Sequence, residues 1–259
     1  MKSVDLKDIP GLPGQKLETK DEFHFKCHKG LTCFNLCCRN LNLFLYPYDV
    51  IRLKNNLNIS SGEFIDRYTD IVLRPGNHFP DVLLKMADND AKTCPYLSDT
   101  GCLVYPDRPD ACRTFPVEQG VMFRDGAQPE PVFFFRPPDF CLGQHETQVF
   151  TIDTWADDQD AATYNAMTVL WAGLIGLFQA DPWGGEGPGG NRGKMAFMAL
   201  YNVDAFREFV FGSSFLKRYK VKEDIRKKIK RNDVEMMKFG FDFVKVSFFQ
   251  MSSKRLRLK

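Results

Sequence analysis

The sequence predicts an α+β protein: a small irregular cysteine-rich metal-binding core with short strands, packed with several helices that include a C-terminal helical extension. Three observations predict it. All eight cysteines fall within the first 141 of 259 residues. Between about residue 69 and residue 136, short β-branched and aromatic runs alternate with Gly- and Pro-marked turns. From Asp153 onward the pattern turns helical, with runs rich in Ala, Met and Leu. The expected organisation is a polar segment over 1–22, a cysteine-cluster body over 23–150 and a mainly helical region with a basic tail over 151–259.

Taken in order, residues 1–22 are polar, and Ile9–Gly14 (IPGLPG) reads as turn or linker on the surface. A helix is expected over PYDVIRLKNNLN, opened by Pro47 or Tyr48. A second follows in SSGEFIDRYT, with Ser60 or Ser61 as cap and Glu63 early. Both are expected to flank the cysteine loop. Short strands and turns follow in Asp70–Gly76, Phe79–Ala87 and KTCPYLSDTGCLVY. DRPDACRTFP is a short helix at most, ended by Pro116. VMFRDG and PVFFFR read as strands across an AQPEP loop. One long helix is expected from Trp155 to Gln179, capped by Asp153 or Thr154 and apolar on every side in its second half. Pro182–Gly193 breaks it as a loop, and Met195 after Lys194 excludes a phosphate-binding Walker loop. Helices are expected over about Asp204–Lys217 and Lys222–Lys238. The segment after them, FGFDFVKVSFFQM, fits a closing strand or a docked helix.

Hydrophobic residues make up 44% and charged residues 26%, which excludes a disordered chain. The 24 phenylalanines imply a Phe-filled core. The N-terminus has no apolar export segment, so a cytoplasmic location is expected. The longest apolar run, Ala166–Ala180, is short for a transmembrane segment and reads as a core helix. Charge is uneven. Leu216–Lys259 carries 15 basic against 5 acidic residues, and the rest 20 against 28. A basic tail fits nucleic acid, an anionic surface or a solvated helix docked on its own body, and the last is preferred.

The cysteines are Cys27, Cys33, Cys37, Cys38, Cys94, Cys102, Cys112 and Cys141. Disulfides suit an exported small domain, which this is not. Four cysteines within twelve residues are too clustered for isolated core thiols. Metal ligation remains, since zinc and iron–sulfur sites both take thiolates. Eight thiols fill two four-ligand sites, or one site with bystanders. Adjacent side chains diverge in extended chain, so Cys37 and Cys38 are expected to serve different sites, or only one of them to ligate.

These residues resemble the YkgJ-type cysteine-cluster family, described as a zinc- or iron-chelating domain. The resemblance rests on Cys27, Cys33, Cys37 and Cys38, then on Cys94, Pro95, Tyr96, Leu97, Cys102, Tyr105, Arg108, Pro109, Cys112, Arg113 and Pro116. Leu45–Leu53, with Asp49, and the closing Cys141–Gly143 extend it over roughly residues 23–145. The family's common spacing is the tighter CxxCxxCC, whereas the first two gaps here are five and three residues. Arg108 and Arg113 flank Cys112 in the family motif and are expected to offset the negative charge of a thiolate centre. His28 and His145, near Cys27 and Cys141, are the candidate replacement ligands, though a surface or packing role is preferred for both. No His-Glu-x-x-His pattern occurs, which disfavours a zinc hydrolase of that kind.

The resulting expectation is a protein that binds zinc or an iron–sulfur cluster, with an iron–sulfur oxidoreductase of unknown substrate as the leading role. A structural zinc module for protein interaction and metal storage or delivery are the alternatives, and no catalytic residue can be named. The expected partner is a protein or redox partner. No specific nucleic acid and no transmembrane segment are expected, and weak contact with an anionic surface through the basic tail stays open.

Overall fold

Gly, Pro and Asn interrupt the first half of the chain so often that its strands run only two to six residues. The computed structural model describes residues 3–4, 14–124 and 129–259. In chain order it contains β1 (Ser3–Val4), β2 (Gln15–Leu17), β3 (Phe23–His24), α1 (Pro47–Asn56), α2 (Ser61–Tyr68), β4 (Thr69–Val72), β5 (Asp81–Leu84), β6 (Leu97–Ser98), β7 (Gly101–Cys102) and α3 (Asp110–Thr114). There follow β8 (Val117–Met122), β9 (Glu130–Phe135), β10 (Val149–Phe150), α4 (Ile152–Asp158), α5 (Ala162–Ile175), α6 (Asn191–Tyr201), α7 (Val203–Gly212), α8 (Phe215–Arg218), β11 (Tyr219–Val221), α9 (Glu223–Arg231), α10 (Asp233–Phe249) and β12 (Leu256–Leu258). The expected α+β class is what forms.

Two compact units result. The first comprises Met1–Phe44 and Lys85–Gly173, the second Leu45–Leu84 and Leu174–Lys259.

In the first unit β8 and β9 pair antiparallel, Val117 opposite Phe135 through Met122 opposite Glu130. β2 joins the outer edge of β9 and β1 runs parallel to β8. Residues 15–17, expected as surface chain, are thus a strand with Leu17 buried. Residues 9–13 of the expected turn lie outside the described residues, as do 127 and 128 of the β8–β9 loop. Leu17, Phe23, Phe25, Val117, Phe150 and Trp155 form one core. The Trp155 ring stands edge-on to Phe23, Phe25 and Phe150, and its indole N–H donates to the Thr114 carbonyl at 2.9 Å. The high Phe content fills cores in this way. Cys141 is buried in the same cluster.

The second unit is mainly helical. α10 packs against α1, α6, α7 and α9. The approach of α10 to α6 requires glycine, since a Cβ on Gly240 would lie 2.0 Å from the Ala199 carbonyl oxygen. Phe206, Phe215, Phe239 and Phe243 pack ring against ring here.

Several expectations are corrected. The long helix from Trp155 breaks at residues 159–161, where Asp160 is left-handed (φ 51°) and the axis turns by 110°. Its first part is capped by Thr151 rather than by Asp153 or Thr154. Its second half is not covered on every side, because Ala166 and Leu170 are exposed. α7 ends at Gly212, five residues short of expectation, and α9 stops at Arg231. Residues 239–249 belong to the docked helix α10. Among the described residues, no single helix is long and apolar enough to cross a membrane.

Candidate metal centre

Five short backbone contacts assemble the cysteines, all within the first unit. β3 pairs with β10, and past its end the Lys26 amide donates to the Gly143 carbonyl at 3.0 Å. That contact sets Cys27 beside the Cys141 segment. A 3₁₀ turn over Leu36–Cys38 carries the double cysteine, entered by Asn35 in a left-handed conformation (φ 65°). Beyond it, Arg39 bridges Thr93 and the Cys94 amide donates to the Cys38 carbonyl at 2.8 Å. The first cysteine block is thereby stitched to the second. The β6–β7 turn then places Leu97 opposite Cys102, returning Cys102 toward Cys94. Cys112 lies on α3, with its side exposed.

The thiols act on one another through space. Cys27 is pushed up to about 11, first by burial, then by Cys37, Cys141 and Cys33. Cys141 is raised by burial and by Cys33 and Cys37. Cys94 is raised by burial, then by Cys102 and Cys37. Adjacent Cys38, together with burial, holds the Cys37 thiol well above its ordinary value. The two adjacent cysteines sit on a tight 3₁₀ turn instead of extended chain. All eight cysteines are free of disulfides.

Backbone amides oppose these upward shifts. Cys94 receives the amides of Tyr96 and Leu97, Cys141 those of Gly143 and Gln144, and Cys102 that of Val104. These are the second and third residues after each cysteine. The Leu142 amide donates to the Cys33 sulfur at 3.3 Å. Amides aimed at sulfur favour the thiolate, the form that binds metal. The sequence does not reveal these donors, since any non-proline residue has an amide and only the turn aims it.

Arg108 and Arg113 are both buried. Arg108 donates to the Tyr105 carbonyl (2.6 Å) and Gln159 Oε1 (2.7 Å), with its guanidinium 3.9 Å from the Tyr105 ring centroid. Its charge faces Cys102 and Cys112, and it pulls the Cys102 thiol down against burial. Arg113 instead ties the backbone, donating to the carbonyls of Gln159 (2.5 Å) and Pro106 (2.6 Å) over the Tyr164 ring. Gln159 and Tyr164 are contributors that sequence reasoning missed, and their distance along the chain hides them. His28 accepts the Gly30 amide at Nδ1 (3.1 Å), and its Nε2 lies 3.6 Å from Glu146. His145 is exposed.

Among the described residues, no group of three or more His, Cys, Asp or Glu side chains is placed so that it could hold a metal ion. The donor chemistry nevertheless fits a soft or borderline metal. Thiols that raise one another's pKa resist ionising together, and a cation among them reverses that penalty.

Residues 26–141 match the family model CxxCxxCC, described as "Putative zinc- or iron-chelating domain". No curated protein and no solved structure matches the chain.

Proposed function

We propose, from the premise that residues 26–141 are a domain of the CxxCxxCC zinc- or iron-chelating family, that its eight thiols form two four-thiolate sets. Cys27, Cys33, Cys37 and Cys141 make the first set, and the observation that carries the reading is that the Lys26 amide on the Gly143 carbonyl and the Leu142 amide on the Cys33 sulfur hold the Cys27, Cys33 and Cys141 segments together, with Cys37 acting on Cys27 and Cys141. Four is the number of thiolates that a tetrahedral zinc or an iron–sulfur cluster takes. Cys38, Cys94, Cys102 and Cys112 make the second set. Support for it comes from the Cys94–Cys38 backbone bond, from Cys102 acting on Cys94 and from Arg108 facing both Cys102 and Cys112. The adjacent pair is then divided between the sets.

The role we infer is that of an iron–sulfur oxidoreductase. An iron–sulfur centre, when bound, supplies one-electron transfer. The chain's own part is to hold thiolate charge with the amides after Cys94, Cys102 and Cys141, and to offset charge at the second set with Arg108. Disulfide-free cysteines agree with the reducing, cytoplasmic location we propose. Structural zinc is the second reading, favoured by a different observation: around the cysteines the strands are two residues long and the helices are short, which a closed metal site would brace.

The test is anaerobic purification with a visible spectrum and counts of iron, zinc and acid-labile sulfide. Broad visible absorption with matched iron and sulfide is expected, and Cys33→Ser should remove the first centre and leave the second. Colourless, zinc-loaded protein would overturn the electron-transfer role. Fresh protein without any tightly held metal would overturn the centre itself.

A further inference from the structure

The metal reading leaves the cationic end of the second unit without a task. Between Leu216 and Lys259 there are ten more basic than acidic residues. Arg226, Lys238 and Arg255 reach carboxylates. Arg218, Lys220, Lys227, Lys230 and Arg257 are exposed, and among the described residues none of them has an ion pair. α9 docks through fully buried Ile229, so its Lys227 and Lys230 stand in solvent. β11 leads into α9 and pairs with β12, setting Lys220 directly opposite Arg257 while the next pair, Val221 and Leu256, is buried. Like charges opposite each other across a ladder repel, and among the described residues neither has an ion pair to offset it.

Side chains alternate along the ladder, so Leu258 shares the face of Tyr219 and buried Leu256, and Lys220 and Arg257 share the other. The cationic face is thus free of the aromatic Tyr219, whose ring lies 4.6 Å from that of Phe215 and whose hydroxyl lies 3.0 Å from Ser247. Among the described residues no ring there is open to a nucleic-acid base, whereas exposed Lys and Arg side chains, with long aliphatic stems, match the headgroup boundary of an anionic bilayer.

We propose that the solvent side of β11, β12 and α9 is an attachment surface for anionic lipid bilayers, with Lys220, Arg257, Lys227 and Lys230 meeting headgroups. The proposal does not depend on the metal centre. It is tested by co-sedimenting the full chain with vesicles of phosphatidylcholine alone, or with about one third phosphatidylserine added. Binding is expected about tenfold or more tighter to the anionic vesicles, and weakened by salt. Lys220→Ala with Arg257→Ala should lower that binding about tenfold, as should Lys227→Ala with Lys230→Ala, a pair on a different element that guards against local misfolding. Leu258→Ser, on the opposite face of the ladder, should leave binding unchanged. Equal affinity for both vesicles overturns the proposal. So does tighter binding to a DNA or RNA oligonucleotide at the same salt, which would assign the surface to nucleic acid.

Discussion

A methyl group on residue 143 would lie 2.8 Å from the Lys26 carbonyl oxygen and 2.9 Å from the Phe25 ring. Lys26 precedes Cys27, and Gly143 follows Cys141 by two residues, so this contact sets how closely the two ends of the cluster approach. Gly143→Ala is expected to cost about 1–3 kcal/mol through overpacking and to lower the metal held per chain. Thermal unfolding and metal analysis check it, and unchanged values of both would remove the glycine from the site. The cysteines were legible in the sequence because clustering of a reactive residue type needs no geometry to notice. The glycine was visible as part of a motif, but its reason was not, since Phe25 is 118 positions away along the chain. Arg113 shows the same limit. Its place beside Cys112 pointed to sulfur, yet its donors go to the carbonyls of Gln159 and Pro106.

Helices α1, α2, α7 and α10 are tied by a cluster of charges. Lys54 on α1 reaches Asp204 at 3.2 Å and Asp233 at 2.8 Å, and Arg207 pairs with both aspartates. Asp204 also accepts the Ser61 amide at the start of α2 (2.8 Å). Burial pushes both carboxyls up. The Ser61 amide and Lys54 outweigh it at Asp204, and Lys54 and Arg207 outweigh it at Asp233, so both lie below the ordinary 3.8. A depressed native pKa adds stability that is full above the unfolded value and is lost as pH falls through the folded one. Urea unfolding should therefore show a loss of stability below about pH 4. Lys54→Met should cost about 2–4 kcal/mol near neutral pH, by leaving two part-buried carboxylates short of a partner, and should shrink the acid loss. An acid loss of the same size in the variant would sink this account. At this scale α1, α2 and the β4–β5 hairpin were readable from capping and alternation, down to Ser60 accepting the Glu63 amide. α6 was not, because a glycine-rich stretch runs into its first turn. There Gly193 passes so close to Pro188 that a Cβ would lie 1.9 Å from its carbonyl oxygen.

The two units differ in what holds them. The first has 13 basic and 19 acidic residues and combines a Trp155-centred core and short strands with its thiol cluster, while the second has 22 and 14 and rests on packed helices. Chelation of the metal should abolish hydrogen-exchange protection in residues 26–44 and 92–104 and leave α10 protected. Equal loss in both regions, or none in either, would contradict a metal that braces only the first unit. The sequence by itself determined the α+β class, the cysteine cluster and the charge of the C-terminal region, because these follow from residue type and near spacing. Only the tertiary structure decided that residues 45–84 join 174–259 instead of the cysteine body, and which thiols face one another. It also decided which amides and arginines face them, since hydrogen bonding and packing act through space and link residues far apart in the chain.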